Sequence, residues 1–143
     1  MSIWFKDYNI EDVVKSYGNT ILDTLGIEVY ELGENYIKGK MPVDERHVQP
    51  IRLLHGGASV VLTESLGSIG ANLVVDPSKY FALGLEVNAN HVRSVAEGAG
   101  FVYGTATPFH IGRKTQIWNI EVRNEQEKLV CVSRLTMTVM ERK

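Results

Sequence analysis

The feature that most constrains the fold is an apolar segment from about Gly57 to Val74, which reads "GASVVLTESLGSIGANLV". Its large apolar side chains recur at helical spacings and point in nearly all directions around the axis, which predicts a helix enclosed on most sides. Gly67 and Gly70 lower the helix propensity, and they predict places where another backbone approaches closely. The apolar positions are Val60, Val61, Leu62, Leu66, Ile69 and Leu73.

This segment is not predicted to span a membrane. Between Leu53 and Val75 its only ionisable side chains are His55 and Glu64. A charged carboxylate near the middle of a bilayer costs about 2.5 to 3.5 kcal/mol, so we expect the helix to lie inside a globular protein. The charged N-terminal stretch "MSIWFKDYNIEDVV" does not resemble a signal peptide.

The bulk properties limit the class of partner. A chain of 143 residues predicts one domain over 1–143. The formal net charge of −2 argues against nucleic-acid binding, which needs many phosphate contacts. The single cysteine, Cys131, provides neither a disulfide framework nor a thiolate metal cage, and it favours a cytoplasmic location.

The remaining pattern predicts a short N-terminal helix and six strands. Residues 10–26 form an amphipathic opening, and strands at 27–33 and 35–43 form a hairpin around Gly33-Glu34. A polar loop over 44–57 leads into the apolar helix. The opening places Val13, Val14, Tyr17, Ile21 and Leu25 at helical spacings, and four further strands are predicted at 80–92, 100–110, 113–123 and 128–139, the last two joined by a turn.

This order of elements predicts an α+β fold in which a curved antiparallel sheet wraps around one long central helix. No G-x-S-x-G, H-E-x-x-H, P-loop or G-x-G-x-x-G motif occurs, so the usual signals of serine hydrolases, zincins, NTPases and dinucleotide-binding folds are missing. The four histidines do not pair on one helical face, and no metal site is expected. They are His47, His55, His91 and His110.

The chemistry that remains lies on the apolar helix. Glycines at its start, Gly56 and Gly57, leave backbone N–H groups open to a ligand, and the helix dipole favours negative charge there, as in an oxyanion hole. Glu64 follows Gly57 by seven residues, on the same helical face but about 10 Å along the axis. A base must come within about 3 Å of its reacting atom, which predicts a site completed by a second, antiparallel copy of the helix. Ser68, one turn after Glu64, shares its face.

Each of these residues also has a purely structural interpretation. An isolated Glu64 is equally well explained by an ion pair with an Arg or Lys elsewhere in the chain. His55 is then a helix cap, and Ser68 fills the core. Arg113 and Lys114 then lie in a solvated loop, and His91 and His110 are hydrogen-bonded ends of strands.

Three segments together resemble the hotdog-fold acyl-CoA thioesterases. They are "MPVDERHVQPIRLLHGGASVVLTESLGSIGANL", "LGLEVNANHVRS" and "PFHIGRKTQIWNIEV". The likeness covers almost the whole chain and is strongest to the bacterial branch of the 1,4-dihydroxy-2-naphthoyl-CoA hydrolases of menaquinone biosynthesis and the enterobactin proofreading thioesterases. It implies a homodimer with one continuous sheet, usually paired into a homotetramer, and no cofactor, since coenzyme A is part of the substrate.

The resemblance also implies roles for individual residues. Glu64 matches the nucleophile or general base, and Gly56 matches the backbone donor of the oxyanion hole. Gln49 and His55 match side chains that orient or polarise the thioester. Ser68 matches a residue near the attacking water, and His91 one that lines the acyl pocket. A Glu at position 64, where phenylacetyl-type relatives often have Asp, resembles the hydroxybenzoyl and naphthoyl branch.

Positions that match contacts to coenzyme A fall in three places. These are Gly84, the run His91, Val92, Arg93 and Ser94, and the loop His110, Ile111, Gly112, Arg113, Lys114 and Thr115. The three cations in these runs are the expected neighbours of the phosphates and the adenylate. This chain reads Gly-Arg-Lys where relatives often read Gly-Ser-Arg, so its cations are shifted by one residue.

The resemblance therefore implies a thioesterase that hydrolyses an aromatic or related acyl-CoA. Two alternatives stay open. A hotdog hydratase or dehydratase would use a His with an Asp or Glu to move a proton at carbon, and a non-catalytic acyl-CoA-binding protein would bind without turnover. No membrane or nucleic-acid partner is expected.

Overall fold

A computed structural model describes residues 1–143 and contains three helices and six strands. The strands form one antiparallel sheet in the order β1-β2-β4-β5-β6-β3, with the longest helix packed on one face. This architecture confirms the predicted α+β layout. In chain order the elements are α1 Ile10–Ser16, α2 Ile21–Leu25, β1 Glu28–Leu32, β2 Ile37–Pro42, α3 Gly56–Val74, β3 Tyr80–His91, β4 Phe101–Ile111, β5 Thr115–Arg123 and β6 Leu129–Glu141.

The core lies between α3 and the concave face of the sheet. Leu62 and Leu66 on the helix are fully buried, as are Trp118 and Leu135 on the central strands. A Cβ on Gly67 would lie 2.6 Å from the Leu135 side chain, and one on Gly70 would lie 2.9 Å from the Trp118 ring. Gly67 and Gly70 are therefore sites of close approach, but the approaching groups are side chains rather than the predicted backbone.

The N-terminal opening differs from the single amphipathic helix that was predicted. Residues 17–20 interrupt it, because Asn19 adopts a positive φ of 60° and the side chain of Thr20 begins a new helix by capping the N–H of Leu22. Two of the five residues assigned to its buried face, Val14 and Ile21, are exposed. The segment therefore forms two short helices, α1 and α2, where the apolar spacing suggested one continuous helix.

Both predicted hairpin turns are present. The N–H of Gly33 donates to the carbonyl of Tyr36 between β1 and β2. Between β5 and β6, the side chain of Asn124 accepts from the N–H groups of Gln126 and Lys128. Local turn chemistry therefore fixes the register of each hairpin.

β3 is an edge strand of the sheet and pairs only with β6. Leu83 and Leu85 on this strand are exposed. At one end of the strand, the Asn72 side chain accepts from the N–H of Ala82 at 2.8 Å and donates to its carbonyl at 3.1 Å. This clamp fixes the register of α3 against β3.

No helix combines the length and the apolar character needed to cross a membrane.

Candidate active site

The start of α3 carries an unused backbone donor. His55 caps the helix, and its Nδ1 accepts from the N–H of Gly57 at 2.8 Å. The N–H of Gly56 donates no hydrogen bond within the chain. A cap that occupies one donor and leaves the preceding one open gives a single directed N–H at the positive end of the helix dipole. This arrangement can stabilise negative charge on a bound carbonyl oxygen.

His91 lies close to Gly56. A Cβ on Gly56 would lie 2.8 Å from Nε2 of His91, closer than side chains pack. The imidazole of His91, at the end of β3, is therefore packed against the helix start in the same chain. His55 lies next to Gly56, so two imidazoles border the open N–H.

Glu64 lies farther along α3 and is half-buried. Its carboxylate makes no hydrogen bond, and no Lys or Arg nitrogen lies within 4.0 Å of it. The alternative of an ion pair within the chain is therefore wrong. The carboxylate rests instead on the backbone of β3, where a Cβ on Gly84 would lie 2.7 Å from its Oε1.

Ser68 follows Glu64 by one helical turn but is not bonded to it. Its hydroxyl points towards Sδ of Met137 at 3.8 Å, a weak contact that leaves the hydroxyl able to rotate. The same face of α3 thus presents a free carboxylate and an exchangeable hydroxyl group. Together these two polar groups can bind a water molecule.

Gln49 lies in the loop that precedes α3. This loop folds back on itself, with the N–H of Gln49 donating to the carbonyl of Leu53 and a bridge between Val48 and Leu54. The side-chain oxygen of Gln49 accepts from the N–H of Ile51 at 2.6 Å, and its amide nitrogen has no partner within the chain. A free donor is therefore available close to the helix start.

Apart from Gly84 on β3, the positions that match coenzyme A contacts form two separate groups. His91 ends β3 and is followed by exposed Val92, Arg93 and Ser94, while the second group is the β4–β5 turn. On β6, the partner of His91 is Cys131 and that of Thr115 is Thr138, seven residues further on, or about 23 Å. One chain therefore does not bring the two groups together. The turn group consists of His110, Ile111, Gly112, Arg113, Lys114 and Thr115.

The cations of the turn are available to an anion. Arg113 and Lys114 are exposed and form no ion pair. They border a surface depression of about 570 Å³ that is also lined by Tyr80 and Thr138. Arg93, in the other group, donates through Nε to the carbonyl of Leu129 at 3.3 Å.

Cys131 is not available as a nucleophile. It is fully buried on β6, and this burial raises the pKa of its thiol, which keeps it protonated near neutral pH. Two residues that the sequence analysis gave no role, Asn72 and His47, make partly buried hydrogen bonds to the backbone beside the candidate site. A polar side chain inside an otherwise apolar segment was the available signal for Asn72, because buried amides must be hydrogen-bonded.

Comparisons with known proteins identify the family of the chain. The model of the thioesterase superfamily matches residues 52–131. The 1,4-dihydroxy-2-naphthoyl-CoA hydrolase of Escherichia coli strain K12 is 41% identical, over 96% of this chain and 99% of the relative. The proofreading thioesterase EntH of Cronobacter turicensis is 39% identical, over 96% of this chain and 98% of the relative.

Two solved structures show the same fold at similar identity. Thioesterase HI1161 from Haemophilus influenzae superposes with a TM-score of 0.92 at 42% identity, covering 97% of this chain and 95% of that one. A mutant of thioesterase PA1618 from Pseudomonas aeruginosa superposes with a TM-score of 0.94 at 43% identity, covering 99% of this chain and 100% of that one. The chain therefore belongs to the thioesterase superfamily, and it is a thioester hydrolase with a hotdog fold.

Proposed function

We propose that this enzyme hydrolyses an aromatic or related acyl-CoA, with Glu64 of one subunit acting on a thioester held at Gly56 of its partner. The observation that carries the proposal is a pair of unused groups on one helix. The N–H of Gly56 and the carboxylate of Glu64 are both free of partners within the chain. They are eight residues apart, or about 12 Å along the axis, which is too far for one chain to close the site.

The contacts of β3 support a two-fold arrangement. Gly84 lies against Glu64, and His91 lies against Gly56, so the two halves of the site both border this edge strand. Antiparallel pairing of β3 with a second copy would bring Gly84 of one subunit to His91 of the partner subunit. Glu64 would then face the partner's Gly56. A β-bulge between Gly84 and Glu86 adds one residue to that part of the strand, so the axis is expected to cross at Asn88.

The same axis accounts for the coenzyme A positions. The β4–β5 turn lies near the start of β3, since Thr115 and Leu83 both pair with Thr138. The two-fold would carry the partner's Arg93 towards that end of the strand. Arg113, Lys114 and the partner's Arg93 would then surround one set of phosphates, which no single chain can do.

The proposed reaction uses side chains and water. The thioester oxygen accepts from the N–H of Gly56, and Glu64 either attacks the carbonyl carbon or removes a proton from the attacking water. With water as the nucleophile, the carbon–sulfur bond breaks, coenzyme A leaves as the thiolate, the acid is released, and Glu64 passes its proton to the thiolate or to solvent. With Glu64 as the nucleophile, departure of the thiolate leaves a mixed anhydride on Glu64, which a water molecule then hydrolyses to the acid and the free carboxylate. General-base help of about 10² to 10⁴-fold and one oxyanion donor worth about 3 kcal/mol supply much of the acceleration for so good a leaving group.

A panel of thioesters tests the activity. We expect benzoyl- and naphthoyl-CoA to release free thiol faster than saturated fatty acyl-CoA, with product acid formed in equal amount. Hydration of an enoyl-CoA without thiol release would instead indicate a hotdog hydratase. Tight binding of every thioester without turnover would indicate a binding protein and would refute the proposal.

Cross-linking tests the axis. Asn88 and Asn90 are both exposed on β3, on the same face of the sheet. We expect Asn88→Cys to form a disulfide-linked dimer under mild oxidation, because its Cβ would lie within the roughly 4 Å that a disulfide requires. Asn90→Cys is the matched control. Each Asn90 lies two residues from the axis, so the two copies are offset by about 13 Å along the strands, too far for a disulfide. Efficient cross-linking of the control alone would contradict the shared site.

A further inference from the structure

His47 is the one buried histidine of the chain, with 1% of its surface exposed, and the proposed chemistry does not use it. Both of its ring nitrogens are engaged. Nε2 lies 2.6 Å from the carbonyl of Leu25, and Nδ1 lies 3.1 Å from the N–H of Asp44 and 3.0 Å from its Oδ1. These contacts fix the orientation of the ring.

His47 belongs to a two-residue clasp on the C-terminus of α2. Arg46 donates through Nη1 to the carbonyl of Thr24 at 2.8 Å, while His47 takes the carbonyl of Leu25. Two otherwise orphaned carbonyls at the negative end of α2 are thereby satisfied. Gly26 makes this possible, because its φ of 67° ends the helix and a Cβ there would lie 3.2 Å from Nη2 of Arg46.

The backbone of His47 reaches the helix start from the other direction. Its carbonyl accepts from the N–H of His55 at 2.8 Å, which closes the loop that carries Gln49. On its opposite side the loop is tied by Arg52, which forms two hydrogen bonds of 2.7 Å with Glu97. That outer pair is exposed and contributes little, whereas the His47 anchor is excluded from solvent.

We infer that His47 is a positioning residue, which transmits the packing of the N-terminal helices to Gln49, His55 and the N–H of Gly56. An imidazole buried with both nitrogens bonded holds one geometry, whereas an apolar residue of similar volume would fill the space without fixing the loop. The inference rests on the proposed function, because positioning matters only if these groups contact the substrate. The proposed role of His47 is indirect, because its own atoms do not contact the substrate.

Three variants test the inference. His47→Ala removes both ring contacts, and His47→Gln retains a terminal amide nitrogen able to donate to the carbonyl of Leu25. Val13→Ala, on α1, is the matched control, because Val13 is buried in the same N-terminal region and its backbone bonds locally to Asn9 and Ser16. Turnover of a thioester substrate is measured well below the lowest unfolding temperature, together with hydrogen exchange of the amides of residues 48–57.

We expect His47→Ala to lower kcat about tenfold or more with KM changed less than about threefold, since small misplacements of catalytic groups cost up to about 10²-fold. His47→Gln should recover most of kcat, and Val13→Ala should keep it. Exchange at Leu54 and His55 should rise in His47→Ala alone. An unchanged kcat in His47→Ala, or an equal loss in Val13→Ala, overturns the inference.

The two proposals fail in different ways. A wild-type protein that cleaves no thioester refutes the proposed function, and the exchange measurement then decides whether His47 holds the loop. A wild-type protein that is active, with His47→Ala equally active, refutes only the positioning inference. If His47→Ala does not fold, the comparison of His47→Gln with Val13→Ala makes the same distinction through kcat.

Discussion

A methyl group on Gly84 is expected to impair turnover without harming the fold. A Cβ at this position would lie 2.7 Å from Oε1 of Glu64, whereas ordinary contacts begin at 3.4 Å. The carboxylate must therefore retreat by about 0.7 Å, the difference between these two distances. Because the obstructing atom is the far end of a flexible side chain, the retreat costs little stability. A catalytic group displaced by about 1 Å loses up to about 10²-fold in rate, so we expect kcat of Gly84→Ala to fall between about 10-fold and 100-fold.

The family resemblance also implies that Gly84 contacts coenzyme A. The assay separates loss of that contact from displacement of Glu64. Release of free thiol is followed across substrate concentrations, and the melting temperature is recorded for the same preparation. Displacement of Glu64 lowers kcat and leaves KM nearly unchanged. A raised KM with normal kcat would assign Gly84 to substrate binding, and that result would refute the reasoning.

Three further predictions concern stability and its dependence on pH. The hydroxyl of Ser133 is buried without a hydrogen-bond partner. Ser133→Ala should therefore leave the melting temperature unchanged or raise it, which corresponds to a gain of up to about 1 kcal/mol in the free energy of unfolding. Gly70→Ala should destabilise by about 1 to 3 kcal/mol in urea titrations despite alanine's better helix propensity, because the fully buried Trp118 ring cannot move away. Hydrogen bonds from Arg46 hold the pKa of the Asp44 carboxyl below its usual range, so its charge stabilises the fold above about pH 4 and this stabilisation is lost as the pH falls further. The urea midpoint of Asp44→Asn should accordingly drop less between pH 6 and pH 3 than that of the wild type, and an equal drop would contradict the pairing.

The sequence predicted α3 and the strands well, because their patterns are strong and regular. Alternation through Trp118 and Ile120 defined β5, and the apolar residues around Leu66 defined the helix. The break between α1 and α2 was missed, because apolar spacing continues through it. Gly18-Asn19-Thr20 was the local signal, since it combines a turn with a residue suited to start a helix.

Part of the candidate site could be picked out for a similar reason. An isolated Glu64 and the glycines at the helix start are conspicuous in the sequence, and their spacing led us to expect a second subunit. The contacts that support them join residues far apart in the chain. His47 reaches Leu25, and Asn72 reaches Ala82, through tertiary contacts that no local pattern encodes.

Mixing of two defective subunits tests the central claim most directly. Glu64→Gln removes the carboxylate from one half of the site, and Gln49→Ala removes the loop donor from the other. If Glu64 acts across the two-fold, a mixed dimer contains one site with both defects and one intact site. Equal amounts of the two nearly inactive variants, unfolded together and refolded, should then recover about a quarter of wild-type thiol release. No recovery in a mixture shown to contain mixed dimers would mean that each chain works on its own substrate, and the account would be wrong.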